Sequence, residues 1–422
     1  MKIAACLALV FASFALAADA PQLSREAEEL YRKSERAILQ IDVVDTRSGA
    51  KTSYGTGFRV QPGGLVITNY HVVSTLVFHP GNYRVVARGP DKQESIVTVV
   101  DIDVVNDLAL LSAPAAPGDM LPLRSAPLEN GASICSLGFP LDLGLTVVEG
   151  TFNGLTTDLH ERYHFTGSLN PGMSGGPALT ANGEVMGVNV ATMGNQVSFL
   201  VPIGFARKLV DAHTGPKALA TPDDLILRVR DQLVAHQQHF VGQLLETTYP
   251  TVPLGPYRVP GKIAGYMKTW GQSSDDPKLL YDVSRYTGNM NDEIYVLSDQ
   301  HTSYLSLAHT LLSSKQLDTF RFYNMYESYF SRDAAAGGGS QEDLTSYAST
   351  TRFVEVNGIT WRAALCLRAY KKLPGLYDAV LRAGTLMEPK RGLVTTLVMS
   401  GVSYENALKL ARKHLEAITW KP

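Results

Sequence analysis

Leu23, Ala27, Leu30, Ser34 and Ile38 fall near one face at helical spacing, with Ser24 placed to cap, which predicts a short first helix. At Ile38 the period changes. Residues 38–44 read as a strand, and to about residue 205 short apolar segments alternate with Gly, Pro, Asn and Asp turns. Segments 57–60, 65–68, 83–87, 95–100, 107–111, 132–137 and 184–190 carry the clearest strand patterns. Many short strands with frequent turn signals predict a sandwich or barrel. A short helix over 204–212 follows, and Thr214-Gly215-Pro216 is a breaker and a plausible boundary.

The remainder has a different texture. Thr221 caps a long helix with Pro222 at its first position and Asp223 and Asp224 in its first turn. Leu225, Val229, Leu233, His236, Phe240 and Leu244 form its apolar stripe. Beyond Thr247 the chain turns β-rich. Asn357-Gly358, between Phe353 and Trp361, marks a hairpin with a type I′ turn, and 363–370 and 393–400 read as further strands. Residues 333–346 read as a mobile loop, and Ser403 caps a last helix running to Ile418. Residues 216–422 thus form one α+β domain.

Composition adds limits. Of 422 residues, 45% are hydrophobic and 18% charged, as in soluble globular proteins, and the net charge of −2 gives no electrostatic case for nucleic acid or an anionic membrane. Residues 1–17 have the form of a signal peptide, with Lys2, an apolar run from Ile3 to Phe14, and Ala15-Leu16-Ala17 as the cleavage pattern. The run is too short to span a bilayer, and no second one is long enough, so export is expected, to the periplasm first and to full secretion as the alternative. Cys135 and Cys366 remain after the leader and are expected as free thiols. His236 and His239 sit three apart without a third ligand, so no metal or other cofactor is called for.

The chemistry concentrates in Asn170-Pro171-Gly172-Met173-Ser174-Gly175-Gly176-Pro177. Three glycines in five residues suit a backbone forced through positive φ, with Ser174 exposed at the apex. The N–H groups of Gly172 and Ser174 can then converge on one point, as an oxyanion site requires. His71 follows an apolar strand directly and is the side chain best suited to act as a base near neutral pH. Asp107 stands at the mouth of the strand 107–111, whereas Asp101 and Asp103 alternate in a way that presents them to solvent.

Gly55-Thr56-Gly57-Phe58, Thr68-Asn69-Tyr70-His71-Val72-Val73, Asp107-Leu108-Ala109-Leu110-Leu111 and the Ser174 octapeptide occur in the order His, Asp, Ser. Over about residues 36–210 the chain resembles the trypsin-fold serine proteases of the HtrA/Deg type. The resemblance implies a mainly β, chymotrypsin-like protease domain of two six-stranded barrels over 18–215, followed by the α+β accessory domain over 216–422. It implies a serine endopeptidase acting on protein or peptide substrates, with Ser174 as nucleophile, His71 as general base and then acid, and Asp107 orienting it. Gly172 and Ser174 N–H groups would form the oxyanion hole, and Ser168, Asn189, Val190 and Ala191 a substrate pocket with no acid, hence a small to medium neutral preference.

Gly172-Met173-Ser174-Gly175-Gly176 also fits the G-x-S-x-G elbow of α/β-hydrolases, but Pro177 and a strand follow it and the matching His and Asp lie upstream. Met173 departs from the polar residue that the family places before its nucleophile. It makes no polar contact there, so the loop is expected to be inactive until substrate or a partner orders it. A protein-binding module that kept the fold, or a protease confined to self-processing, are the other readings. The domain after the breaker shows no carboxylate-binding loop of a PDZ domain.

Overall fold

The computed structural model describes residues 25–113, 119–156, 158–192, 194, 196–213, 220–274, 276, 278–290, 292–331 and 338–421. Residues 1–17, expected as a signal peptide, and the 214–216 breaker lie outside them. The first helix, α1 (Arg25–Ser34), buries Ala27, Leu30 and Ser34, the face that the spacing predicts.

Two closed antiparallel barrels follow. The first is built from β1 (Ile38–Asp45), β2 (Lys51–Gln61), β3 (Leu65–Thr68), β4 (Tyr83–Arg88), β5 (Glu94–Asp103) and β6 (Leu108–Ser112). The second uses β7 (Ser133–Gly138), β8 (Thr146–Leu155), β9 (Tyr163–Phe165), β10 (Pro177–Thr180), β11 (Val185–Thr192) and β12 (Ser198–Pro202). Strand periodicity divides the apolar residues between two cores. Leu39, Ile41, Val43 and Val66 pack together, while Ile38, Phe58 and Ile67 pack with Leu137, Leu179 and Val188 of the second barrel.

Between β3 and β4 the chain forms α2 (Tyr70–Phe78), where the sequence pattern gave only the end of a strand. The run Tyr70-His71-Val72-Val73 looks extended, but Val72, Val73, Val77 and Phe78 all gain burial on one side of a helix laid against the first barrel. Tertiary burial here outweighs the weak helix propensity of valine. Asp101 is a second correction. It is buried rather than solvated, pairs with the Arg228 guanidinium and accepts from the Ile102 N–H.

After α3 (Ile203–Asp211), α4 (Pro222–Glu246) begins with a capping box in which Thr221 and Asp224 bond reciprocally. Its N-terminal half places Leu225, Val229 and Leu233 in the core of the first barrel. Its C-terminal half places Phe240, Val241 and Leu244 in a separate core. That core lies on a seven-stranded antiparallel sheet, in the order Met267–Ser274, Tyr281–Met290, Leu305–Ser314, Arg391–Val402, Tyr377–Thr385, Ile359–Ala369 and Ala348–Val356. Asn357 and Gly358 take φ of 52° and 70° and close the predicted hairpin, and the strand expected from residue 363 is the continuation of the one begun at Ile359.

α5 (Thr319–Phe330) carries Tyr323, Tyr326, Tyr329 and Phe330 on a helix, with Tyr326 and Phe330 buried. α6 (Tyr404–Glu416) is capped by Ser403 as expected. Ser340–Leu344 is tied by backbone bonds, although 332–337 of the expected loop lie outside the described residues. Cys135 and Cys366 are both free thiols. Among the described residues no helix is long and apolar enough to cross a membrane, and no cluster of metal-binding side chains occurs.

Candidate active site

α2 and the β5–β6 turn bring His71 and Asp107 together. Asp107 has φ of 59°, a left-handed conformation that aspartate tolerates better than most residues. Its carbonyl accepts hydrogen bonds from the Asn69 side-chain amide at 2.7 Å and the Tyr70 N–H at 3.2 Å. The turn is thereby fixed with the carboxylate aimed at the start of α2. One carboxylate oxygen accepts the His71 backbone N–H at 2.8 Å and the other lies 2.6 Å from His71 Nδ1.

Those contacts give Asp107 two tasks. It satisfies an orphan donor at a helix N-terminus, where negative charge is also favoured by the helix dipole. It also accepts the Nδ1 proton, since an ionised carboxylate only accepts, which leaves Nε2 as the bare nitrogen. Burial works against an imidazolium at His71. The nearby Asp107 charge and its hydrogen bond outweigh that, so the pKa stands above the ordinary 6.5. The His71 side chain keeps 24% of its surface exposed, enough for access from the cleft.

The Ser174 loop crosses the same spot from the second barrel. Gly55 shows how close it comes: a Cβ there would lie 2.6 Å from Val72 Cγ2 and 3.0 Å from the Ser174 carbonyl oxygen. Only a glycine lets β2 pass between the Ser174 loop and α2. The Thr56 N–H donates to the Ser174 carbonyl at 2.8 Å, and Thr56 Oγ1 donates to the Gly172 carbonyl at 2.7 Å while accepting from the Phe139 N–H. No hydrogen bond joins Ser174 Oγ to His71 in this structure, and such bonds often tighten only with substrate present.

Gly172 adopts φ of 98°. The Pro171 carbonyl accepts from the Leu141 N–H at 3.0 Å, and because the peptide is trans the Gly172 N–H points the opposite way. Among the described residues, neither the Gly172 nor the Ser174 N–H has an acceptor. Met173 is fully buried with Ile134, Phe152, Phe165, Leu169 and Leu200. The loop is therefore held by apolar burial at Met173 and by hydrogen bonds that its carbonyls accept from neighbouring backbone and side chains.

Asn189 contributes to that hold and departs from its expected place on a pocket wall. It is fully buried; its amide donates to the Met173 carbonyl at 3.1 Å and its oxygen accepts from Ser136 Oγ at 2.8 Å. Ser168 is exposed, and Ala191 continues β11. Val190 is half-buried and lines a cavity of about 720 Å³ beside His71 and Asp107. Thr56, Asn69 and Tyr295 were not singled out from the sequence. The glycines flanking Thr56 and the placement of Asn69 two residues before His71 are local signals; Tyr295 has none.

Residues 55–188 match the family described as trypsin-like peptidase domain. The mitochondrial serine protease HTRA2 of Drosophila grimshawi is 29% identical over 192 residues, covering 42% of this chain and 44% of that protein. The HTRA2 of Bos taurus is 32% identical over 206 residues, covering 45% and 43%. The chain thus spans less than half the length of these relatives. Among solved structures, the active form of the Rv3671c protease from M. tuberculosis is similar at 23% identity and a TM-score of 0.42, covering 52% of this chain and 98% of that one. Deg5 is similar at 25% identity and a TM-score of 0.39, covering 44% and 92%.

Proposed function

We propose that the N-terminal half of this chain, which matches the trypsin-like peptidase domain over residues 55–188, is an HtrA-type serine protease domain that hydrolyses peptide bonds in protein substrates through Ser174, His71 and Asp107. The observation that carries the reading is the double grip of Asp107 on His71, at 2.8 Å and 2.6 Å, on a helix one glycine away from the Ser174 loop. His71 Nε2 takes the Ser174 hydroxyl proton as Oγ attacks the carbonyl carbon. The same nitrogen then delivers that proton to the leaving amine, and water repeats the cycle to release the acyl group. The unpartnered Gly172 and Ser174 N–H groups receive the oxyanion, a contribution worth about 10²–10³ in rate for a single donor.

We propose further that residues 1–17 direct export, to the periplasm in a bacterial cell, and that 216–422 acts as an accessory domain. A labelled fluorophosphonate tests the central proposal. Covalent modification is expected on the wild-type chain and absent in Ser174→Ala. A wild-type chain that stays unlabelled at every pH and substrate condition would replace this reading with that of a protein-binding module.

A further inference from the structure

The second half of the chain reaches into the site with a hairpin, Ile294–Leu297 paired with Gln300–Thr302, and with Lys268 of the strand Met267–Ser274. Ile294, Val296 and Leu297 are buried in the same core as Val72, Val73 and Val77 of α2. The Tyr70 hydroxyl donates to the Val296 carbonyl at 3.1 Å. Tyr295 lies between the buried residues, partly buried against the same core, where the strand register shifts. Its ring stands edge-on to His71 with centroids 5.5 Å apart, and the His301 ring backs it at 5.2 Å.

A movable lid would rest on exposed polar contacts. This hairpin is rooted in the core, so Tyr295 is a fixed boundary. Between it and the barrel lies the cavity of about 720 Å³, a size usual for ligand sites and larger than one side chain needs. The barrel contributes His71, Val190, Val197 and Phe199, and the hairpin Ile294 and Tyr295. Charges around it are mixed in sign, and Glu293 and Asp292 are already paired, with His301 at 3.1 Å and His160 at 2.8 Å. Asp158, Arg162 and Lys268 also line it, and the part formed by Val190, Val197, Phe199, Ile294 and Tyr295 is apolar and aromatic.

We infer that the C-terminal half completes the substrate site: a bulky apolar side chain flanking the scissile bond seats in this cavity, between Tyr295 and the Val190–Phe199 side of the barrel. The inference rests on the protease reading above, because a chain delivering its carbonyl to Ser174 must pass His71. A substrate read by the barrels alone would make no use of Tyr295.

Peptide-library profiling of the full chain, normalised to sites titrated by fluorophosphonate, tests it. Wild type is expected to favour a bulky apolar residue at one position beside the cleaved bond. Tyr295→Ala is expected to lower kcat/KM for such peptides at least about tenfold, mainly through KM, and Tyr295→Phe to keep the profile. Should Tyr295→Ala fail to fold, Val197→Trp serves instead: it fills the cavity from a residue 37% exposed and is expected to shift preference to small side chains. A profile indistinguishable from wild type in whichever variant titrates would overturn the inference while leaving the protease reading intact. Absence of titratable sites in wild type would overturn the reading beneath it.

Discussion

Asp107 holds His71 by the main chain and the ring at once, so the carboxylate sets both where α2 begins and which nitrogen of the imidazole is free. The geometry of the base is consequently inseparable from the fold of the helix that carries it.

Replacing one carboxylate oxygen with an amide separates those tasks. Asp107→Asn keeps an oxygen for the His71 N–H but presents an NH₂ to Nδ1, forcing the tautomer whose Nε2 is protonated. The expected outcome is a fall in kcat of about 10⁴ with a retained fold. Steady-state kinetics alongside circular dichroism would measure it. A loss smaller than tenfold would mean that Asp107 does not orient the base.

The pH profile follows from the raised His71 pKa. General-base action needs the neutral ring, so the acid limb of kcat/KM is expected to have its midpoint above 6.5 and to move down when Asp107 is removed. Stability carries the opposite sense. A histidine whose pKa rises on folding stabilises the native state fully below its unfolded value near 6.5, and that contribution is lost as pH rises through the folded value. His71→Ala should therefore cost more stability at pH 6 than at pH 9 in urea titrations. A limb centred at or below 6.5 would contradict the assignment.

Met173 invites an engineering mistake. A polar residue there is what the family resemblance implies, yet here the side chain is wholly enclosed by Ile134, Phe152, Phe165, Leu169 and Leu200. Met173→Asn buries an amide without an evident partner and is expected to cost about 1–3 kcal/mol and to slow fluorophosphonate labelling. Met173→Leu, close in volume, should cost under about 1.5 kcal/mol and label normally. Chemical denaturation and labelling rates together decide it; a faster-labelling asparagine variant would show that the loop wants polarity after all.

What could be read from the residues was what depends on neighbours in sequence. Strand periodicity and turn residues gave the first barrel, because inward and outward positions alternate within each segment. His71, Asp107 and Ser174 were legible because each sits in a local pattern shaped by its turn or strand. Asp101 was misjudged because its partner, Arg228, is 127 residues away. The family resemblance puts Asn189 on a pocket wall, and nothing in the local sequence says that Ser136 and the Met173 carbonyl wait behind it. α2 was missed because valines that look like a strand become a helix once a barrel offers them a face. Tyr295 belongs to a hairpin whose docking is decided by shape across the whole chain.

α4 has 25 residues, and at 1.5 Å per residue it is roughly 37 Å long. Swinging the second half away from the cleft would strip Leu225, Val229 and Leu233 from one core, or Phe240, Val241 and Leu244 from the other. Each fully exposed side chain would cost about 1.5–3 kcal/mol. The helix is therefore a beam sunk into masonry at both ends, and the aperture above His71 is set when the chain folds. Whatever the proposed site takes must then fit an opening that does not widen to receive it.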